Sequence, residues 1–300
     1  MSLNRNCKIR CFKKIKQYIL KTLNQFYPLK DIFYYCTMNQ SLQSVLEELY
    51  TRYHKPRFMR LDPLEYVHSF TGGRNREIAG LIASSLAYGK VEIIRENIQR
   101  IFSITGKDLV DFSCSTAFLR KKKLFADFKH RFNTGSDIAL LFECVHKVYK
   151  ENGSLEALFY TGMNSEQRNI KQPLNEFVKR MHTVQESISI HGVASFRYLL
   201  PLPQRGSACK RLNMYLRWMV RPNDGIDLGI WRAVETSKLV IPVDTHVAAI
   251  ARRLGLTRRK TVDWRMAEEI THQLQKINPS DPVKYDFSLC RWGMVDFRRK

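Results

Sequence analysis

Lys210 and Asp244, thirty-four positions apart, are the two residues whose settings suit chemistry as well as solubility. From Lys210 the apolar residues Leu212, Tyr215, Leu216 and Met219 recur at helical spacing, and Lys210, Arg217 and Arg221 share the opposite face. The lysine therefore heads a basic amphipathic helix. Pro242 restricts the backbone before Asp244, a favoured N-cap residue, and Val247, Ile250, Ala251 and Leu254 restore the helical spacing. Asp244 thus belongs at a second helix N-terminus, where free N–H groups and the macrodipole favour its ionised form. An amine can attack, and a fixed carboxylate can stabilise positive charge or shuttle a proton. The plainer reading makes Asp244 a helix cap and Lys210 a solvated or phosphate-contacting charge.

The run Val243-Asp244-Thr245-His246, with Lys210 and Asn213 upstream in a Lys-x-x-Asn setting, resembles the helix-hairpin-helix DNA glycosylase superfamily. The interval is more similar to that of archaeal 8-oxoguanine glycosylases than to that of endonuclease III. The resemblance implies a flipped damaged nucleotide whose sugar C1′ is attacked by Lys210 to form a Schiff base, with Asp244 assisting. Such an amine needs a lowered pKa, and Arg205 and Arg211 would push it that way. Residues expected on the nucleic acid are Arg205, Gly206, Ser207, Arg211, Arg217, Arg221, Arg252 and Arg253. The stretch 81–98 resembles the superfamily's early helix pair, whose junction carries a residue wedged into the base stack. Tyr88 and Lys90 occupy that place, so Tyr88 reads as the wedge, as a stacking platform or, more commonly for a tyrosine, as a core residue. Trp231 and Asp227, in the loop 221–231, are candidates for the base pocket, and a buried tryptophan is the competing fate of Trp231.

Two features depart from the superfamily. Its hairpin reads Leu-Pro-Gly-Val-Gly before the lysine, whereas this chain reads Leu200-Pro201-Leu202-Pro203-Gln204-Arg205-Gly206-Ser207. The cysteine set of endonuclease III is also missing after Cys290, so no iron–sulfur cluster is expected. Beyond Met38 the chain further resembles an uncharacterised bacterial family known only as a domain of unknown function, which supplies no activity.

Fifty Lys+Arg against 28 Asp+Glu give a net charge of +22, which points to a polyanionic partner. Residues 1–37 account for +7 of this, so +15 remains on the rest. The seven cysteines are scattered and odd in number, so they read as reduced thiols, with no metal site or cofactor expected. No apolar run reaches membrane-spanning length and no signal-peptide order is present, so a cytoplasmic, nucleoid-associated monomer is expected. Residues 1–37 form a basic aromatic extension. It reads as an amphipathic segment, a disordered arm or, preferentially, translated sequence ahead of a start at Met38.

The elements that must position Lys210 and Asp244 are helical. Leu42, Val45, Leu46 and Leu49 make one stripe; Asp62-Pro63 opens another helix; 77–88 is rich in small residues and suits close packing. Residues 119–135 interleave basic and aromatic residues, as a solvated amphipathic helix or a nucleic-acid surface would. Asp137–Lys150 buries Ile138, Leu141, Val145 and Val148; residues 160–172 are loop-like; Leu174–Ile190 is helical. Asp263 caps one late helix, and Ser280 or Asp281 caps the last, which runs to Trp292. Strand patterns are almost absent.

The fold expected for residues 38–300 is therefore all-α, a two-lobed helix-hairpin-helix glycosylase-like bundle with Lys210 and Asp244 facing residues 77–150. The expected function is base excision from damaged DNA, with or without AP-lyase activity. The alternatives are a non-enzymatic nucleic-acid-binding protein on the same scaffold and an RNA-directed relative.

Overall fold

A computed structural model describes residues 41–189 and 193–295, so the expectations for residues 1–37 lie outside the described residues. Among the described residues the fold is all-α, with fourteen α-helices and one antiparallel pair of two-residue strands. Among the described residues no helix is long and apolar enough to cross a membrane.

Helix α1 (Leu42–Tyr53) is capped by Ser41, whose hydroxyl accepts from the Ser44 N–H at 3.2 Å, and it packs on α14 (Asp286–Val295). Asp62 accepts from the Leu64 N–H at 3.0 Å to open α2 (Leu64–His68). Gly72, at φ 74°, turns the chain into α3 (Gly73–Ser85), and α4 (Val91–Thr105), α5 (Leu109–Ser115) and α6 (Phe118–Leu124) follow. Strands β1 (Lys129–His130) and β2 (Asn133–Thr134) form a hairpin with Arg131 and Phe132 at its tip. Of the two readings of residues 119–135, the solvated amphipathic helix does not hold. Phe125, Phe128 and Lys121 are buried, and Lys121 is paired at 2.8 Å with Glu143, which leaves no continuous polar face.

Helix α7 (Gly135–Asn152) buries Ile138, Leu141, Val145 and Val148, and collects α5, α6, α8 (Leu155–Tyr160) and α9 (Lys171–Ile188) around it. Gly135 must be glycine, because a Cβ there would meet the Phe125 carbonyl oxygen at 1.6 Å. Helix α10 (Val193–Leu199) and a single 3₁₀ turn, Pro203–Arg205, then lead into α11 (Lys210–Val220).

Helix α11 lies against α3 because Gly80 has no side chain to hold it off. A Cβ at Gly80 would meet Met219 Cε at 2.7 Å and the Tyr215 ring at 3.2 Å. Helix α12 (Thr245–Arg253) packs on α14, and α13 (Trp264–Ile277) is capped by Asp263, which accepts from the Met266 N–H at 2.8 Å. The last helix begins at Asp286, later than expected. Asp281 is drawn off instead to Arg221, at 2.9 Å.

Candidate functional site

The two focal residues meet. Lys210 is the first residue of α11 and Asp244 the N-cap of α12, and Lys210 Nζ lies 3.0 Å from Asp244 Oδ2. Asp244 Oδ1 meanwhile accepts from the His246 and Val247 N–H groups, each at 2.9 Å. Asn213, one turn after Lys210, donates to the Ala208 carbonyl at 3.1 Å and pins the chain before the lysine.

A lysine at the first position of a helix sits against the positive end of the macrodipole, which stability alone disfavours. Cys209 before it is held at φ 46°, a left-handed conformation that a non-glycine residue adopts at a cost. Local sequence and structure disagree here, as they do where function sets the residue.

Burial alone would lower the Lys210 pKa, but the Asp244 carboxylate outweighs it, with smaller help from Cys290 and Asp62, and the net direction is upward. The expected lowering by Arg205 and Arg211 does not occur. For Asp244 burial pushes the pKa up, and the Lys210 charge together with the Val247 N–H reverses it, so the carboxylate titrates below its ordinary range. Each member holds the other charged.

Two hollows have Lys210 on their walls. One, of about 350 Å³, holds Lys210, Asp244 and His246 at its wall and is floored by Asp62, Arg217, Asp286 and Arg291. The other, of about 550 Å³, is a groove edged by Arg197, Tyr198, Arg205, Ser207 and Arg211. Ala87, Tyr88 and Lys210 belong to both and form the saddle between them.

The floor of the smaller hollow is charged and incompletely paired. Arg217 bonds Asp227 at 3.1 Å and also Asp286, yet its Nη2 has no partner; Arg291 bonds Asp62, and its Nε is likewise unpaired. All four side chains are buried. Burial pushes the Asp286 carboxyl up to about 6 even though Arg217 opposes it.

Several expected contacts are redirected. Arg217 and Arg221 do not form a cationic surface, because both are buried. Arg221 is bound by Asp224 at 3.0 Å, Asp281 at 2.9 Å and Asp227, which joins the loop after α11 to the segment ahead of α14. Asp227 belongs to this network and lines neither hollow. Trp231 is a core residue, edge-to-face with Tyr215 and tilted against Phe159, and its indole N–H donates to Glu77 Oε1 at 2.7 Å. A buried tryptophan needs such an acceptor, and Glu77 supplies it from α3.

Residues along the groove fare better. Arg205 and Ser207 line it, and Arg205 is exposed. Gly206, at φ 84°, spends its N–H on the Pro203 carbonyl at 3.0 Å, so that N–H is not available to an anion. Arg211 donates to the carbonyls of Ser85, at 2.5 Å, and Tyr198, with its guanidinium against the rings of both Tyr88 and Tyr198 at 4.7 and 4.8 Å. Tyr88 is no free wedge. Its hydroxyl lies 2.5 Å from Asn133 Oδ1 and 2.9 Å from the His130 carbonyl. Lys90 is exposed at the start of α4 and lines neither hollow. Arg252 ties down the carbonyls of Arg259 and Lys260, each at 2.7 Å, and Arg253 is exposed on the same helix.

Residues 62–295, which span both hollows, match the family described as Protein of unknown function (DUF2400). The chain belongs to this family. No curated protein and no solved structure matches it. The DUF2400 match includes Asp62, Asp286, Cys290 and Arg291, which sequence reasoning passed over because they come from the two ends of the matched stretch and meet only when α14 packs on α12 and Arg291 pairs with Asp62. Among the described residues no group of His, Cys, Asp and Glu is arranged to hold a metal ion.

Proposed function

We propose that this DUF2400 protein binds DNA along the basic groove, takes one extruded nucleotide at the saddle and excises its base, with Lys210 and Asp244 at the sugar. The observation that supports this reading best is the Lys210–Asp244 pair, with Lys210 on the walls of both a basic groove and a smaller hollow that has charged side chains at its base. A phosphate backbone suits the first compartment and a flipped base the second.

As the C1′–N bond breaks, its electron pair leaves with the base and positive charge develops on the sugar. The Asp244 carboxylate, ionised and fixed by two backbone N–H groups, stabilises that charge. Lys210 begins as an ammonium, so it must lose a proton before it attacks C1′, and the departing base is a group able to accept it. The neutral amine then forms the C–N bond to C1′, and the Schiff base that results leads to AP-lyase cleavage. If Lys210 keeps its proton, water adds at C1′ and the protein is a glycosylase only.

One observation favours a second reading, binding without catalysis. The pair is mutually satisfied, as a purely structural cap and its counterion would be. Borohydride trapping and free-base release on duplexes carrying 8-oxoguanine, uracil, thymine glycol or an abasic site separate the readings, beside Lys210→Gln and Asp244→Asn. An adduct lost in Lys210→Gln supports the lyase. Base release without an adduct supports the glycosylase alone. Neither event on any lesion, with DNA binding intact, leaves the binding protein.

A further inference from the structure

The β1–β2 hairpin presents an aromatic surface that the excision chemistry does not use. Phe132 at its tip is 59% exposed and Tyr198 is 42% exposed, and their ring centroids lie 5.3 Å apart. Tyr198 lies 5.0 Å from Tyr88, so three rings run outward from the saddle. Arginines interleave with them. The Arg211 guanidinium lies against both Tyr88 and Tyr198, and the Arg131 guanidinium stands 5.5 Å from the Phe132 centroid.

The tip is built at a cost. A two-residue hairpin loop with positive φ at its first position ordinarily takes glycine, asparagine or aspartate. Here that position is Arg131, at φ 54°, followed by the exposed Phe132. Among the described residues only Arg131 and Cys209 are non-glycine residues with positive φ, and Cys209 lines the groove beside the same saddle.

The hairpin is also fixed from below. His130 bonds the Tyr88 carbonyl and Asn97 at 3.0 Å each, and burial lowers its pKa, which keeps the ring neutral for that pairing. Asn133 donates to the Ser195 carbonyl at 2.7 Å, and the Arg131 side chain crosses Gly89, where a Cβ would meet its Cδ at 3.2 Å. An exposed aromatic held this firmly loses little freedom when a flat ligand stacks on it.

We propose that Phe132 and Tyr198, with Arg131, form a stacking platform for an unpaired nucleobase of the strand lying in the groove. Exposed aromatic rings flanked by guanidinium groups fit a base, and the neighbouring exposed Arg205 fits its phosphates. The inference rests on the reading that the groove carries nucleic acid, but not on base excision. The protein should therefore prefer single strands, or duplexes with an unpaired base, over an uninterrupted duplex.

The test is binding of a single-stranded oligonucleotide carrying one 2-aminopurine, whose fluorescence is quenched on stacking, to the full chain and to Phe132→Ala, Phe132→Leu and Phe132→Trp. The expected result is quenching by the full chain, affinity lowered about tenfold or more in Phe132→Ala and Phe132→Leu with an unchanged salt slope, and recovery in Phe132→Trp. Because Phe132 is exposed, melting temperatures should stay together. Binding without quenching, equal affinity in Phe132→Ala, no binding to any oligonucleotide, or a Phe132-dependent change of oligomeric state without quenching would each overturn the platform. Quenching with no base release from any lesion supports the platform while excision fails, so the two failures are distinguishable.

Discussion

Lys210 Nζ lies 3.0 Å from Asp244 Oδ2, and each charge moves the other's protonation toward the ionised form. For Lys210 the raised pKa means that the pair's stabilisation is complete below the unfolded lysine value and is lost as pH rises through the folded one. For Asp244 the lowered pKa means stabilisation above the unfolded aspartate value, lost as pH falls through the folded one. The pair is whole across neutral pH.

Asp244→Asn should therefore lower the Lys210 pKa, since burial remains and the compensating carboxylate is gone. Titration of the ¹³C-methylated lysine by NMR should show its transition at lower pH than in the unmutated protein. The amide still offers one oxygen to the His246 and Val247 N–H groups, so the stability loss should stay within about 1 kcal/mol. A Lys210 transition that does not move would mean the carboxylate does not control the amine.

Asp286 supplies a second titration, with opposite consequences for stability. Its carboxyl is raised to about 6 by burial, so between the unfolded aspartate range and that value the folded state holds the extra proton. Stability from this group falls as pH rises through that interval and is flat above it, a change on the order of 2–3 kcal/mol. Urea unfolding of the unmutated protein and of Asp286→Asn at pH 4.5, 5.5, 6.5 and 7.5 isolates the effect. The difference in midpoint should shift against the unmutated protein as pH rises, and a constant difference would show that Asp286 ionises normally.

Arg205 and Arg221 look alike in sequence and should behave oppositely. Arg205 is exposed on the groove, whereas Arg221 is buried among Asp224, Asp227 and Asp281. Arg205→Ala should cost almost nothing in urea and reduce the dependence of log affinity on log salt by about one. Arg221→Ala leaves buried carboxylates unpaired and should cost about 3–5 kcal/mol, with the salt slope unchanged in whatever protein still folds. Reversed behaviour would mean that the groove has been placed on the wrong side of α11.

Helical spacing made the framework legible and put Lys210 at a helix head, and capping chemistry located Asp244, because periodicity and an N-cap are local features. The partners of those residues were not legible. Arg217 and Arg221 read as surface charge since no local rule says that Asp227, Asp281 and Asp286 will close over them. Trp231 read equally as a pocket wall or a core residue because its acceptor, Glu77, lies on a helix 154 positions away. The hairpin was missed because two-residue strands are too short to show alternation, and the signal that does exist, an Arg-Phe tip between His130 and Asn133, is not turn chemistry.

The small-residue run in α3 was legible as a packing surface, and it carries a prediction about the site itself. Gly80 lets α11 approach so closely that an added Cβ would stand 2.7 Å from Met219 Cε. Gly80→Val forces either Met219 out of its rotamer or α11 away from α3, at about 1–3 kcal/mol. Since Lys210 heads α11 and Tyr88 follows α3, moving one helix off the other widens the saddle, and base release or oligonucleotide affinity should fall by more than the loss of stability explains. Met219→Ala alone opens a cavity and should cost about 2–5 kcal/mol. Combined with Gly80→Val it makes room for the new side chain, so the double variant should be more stable than the two single losses added together, with a coupling of about 1 kcal/mol or more. Strict additivity in urea unfolding would show that the two residues do not set the spacing of these helices.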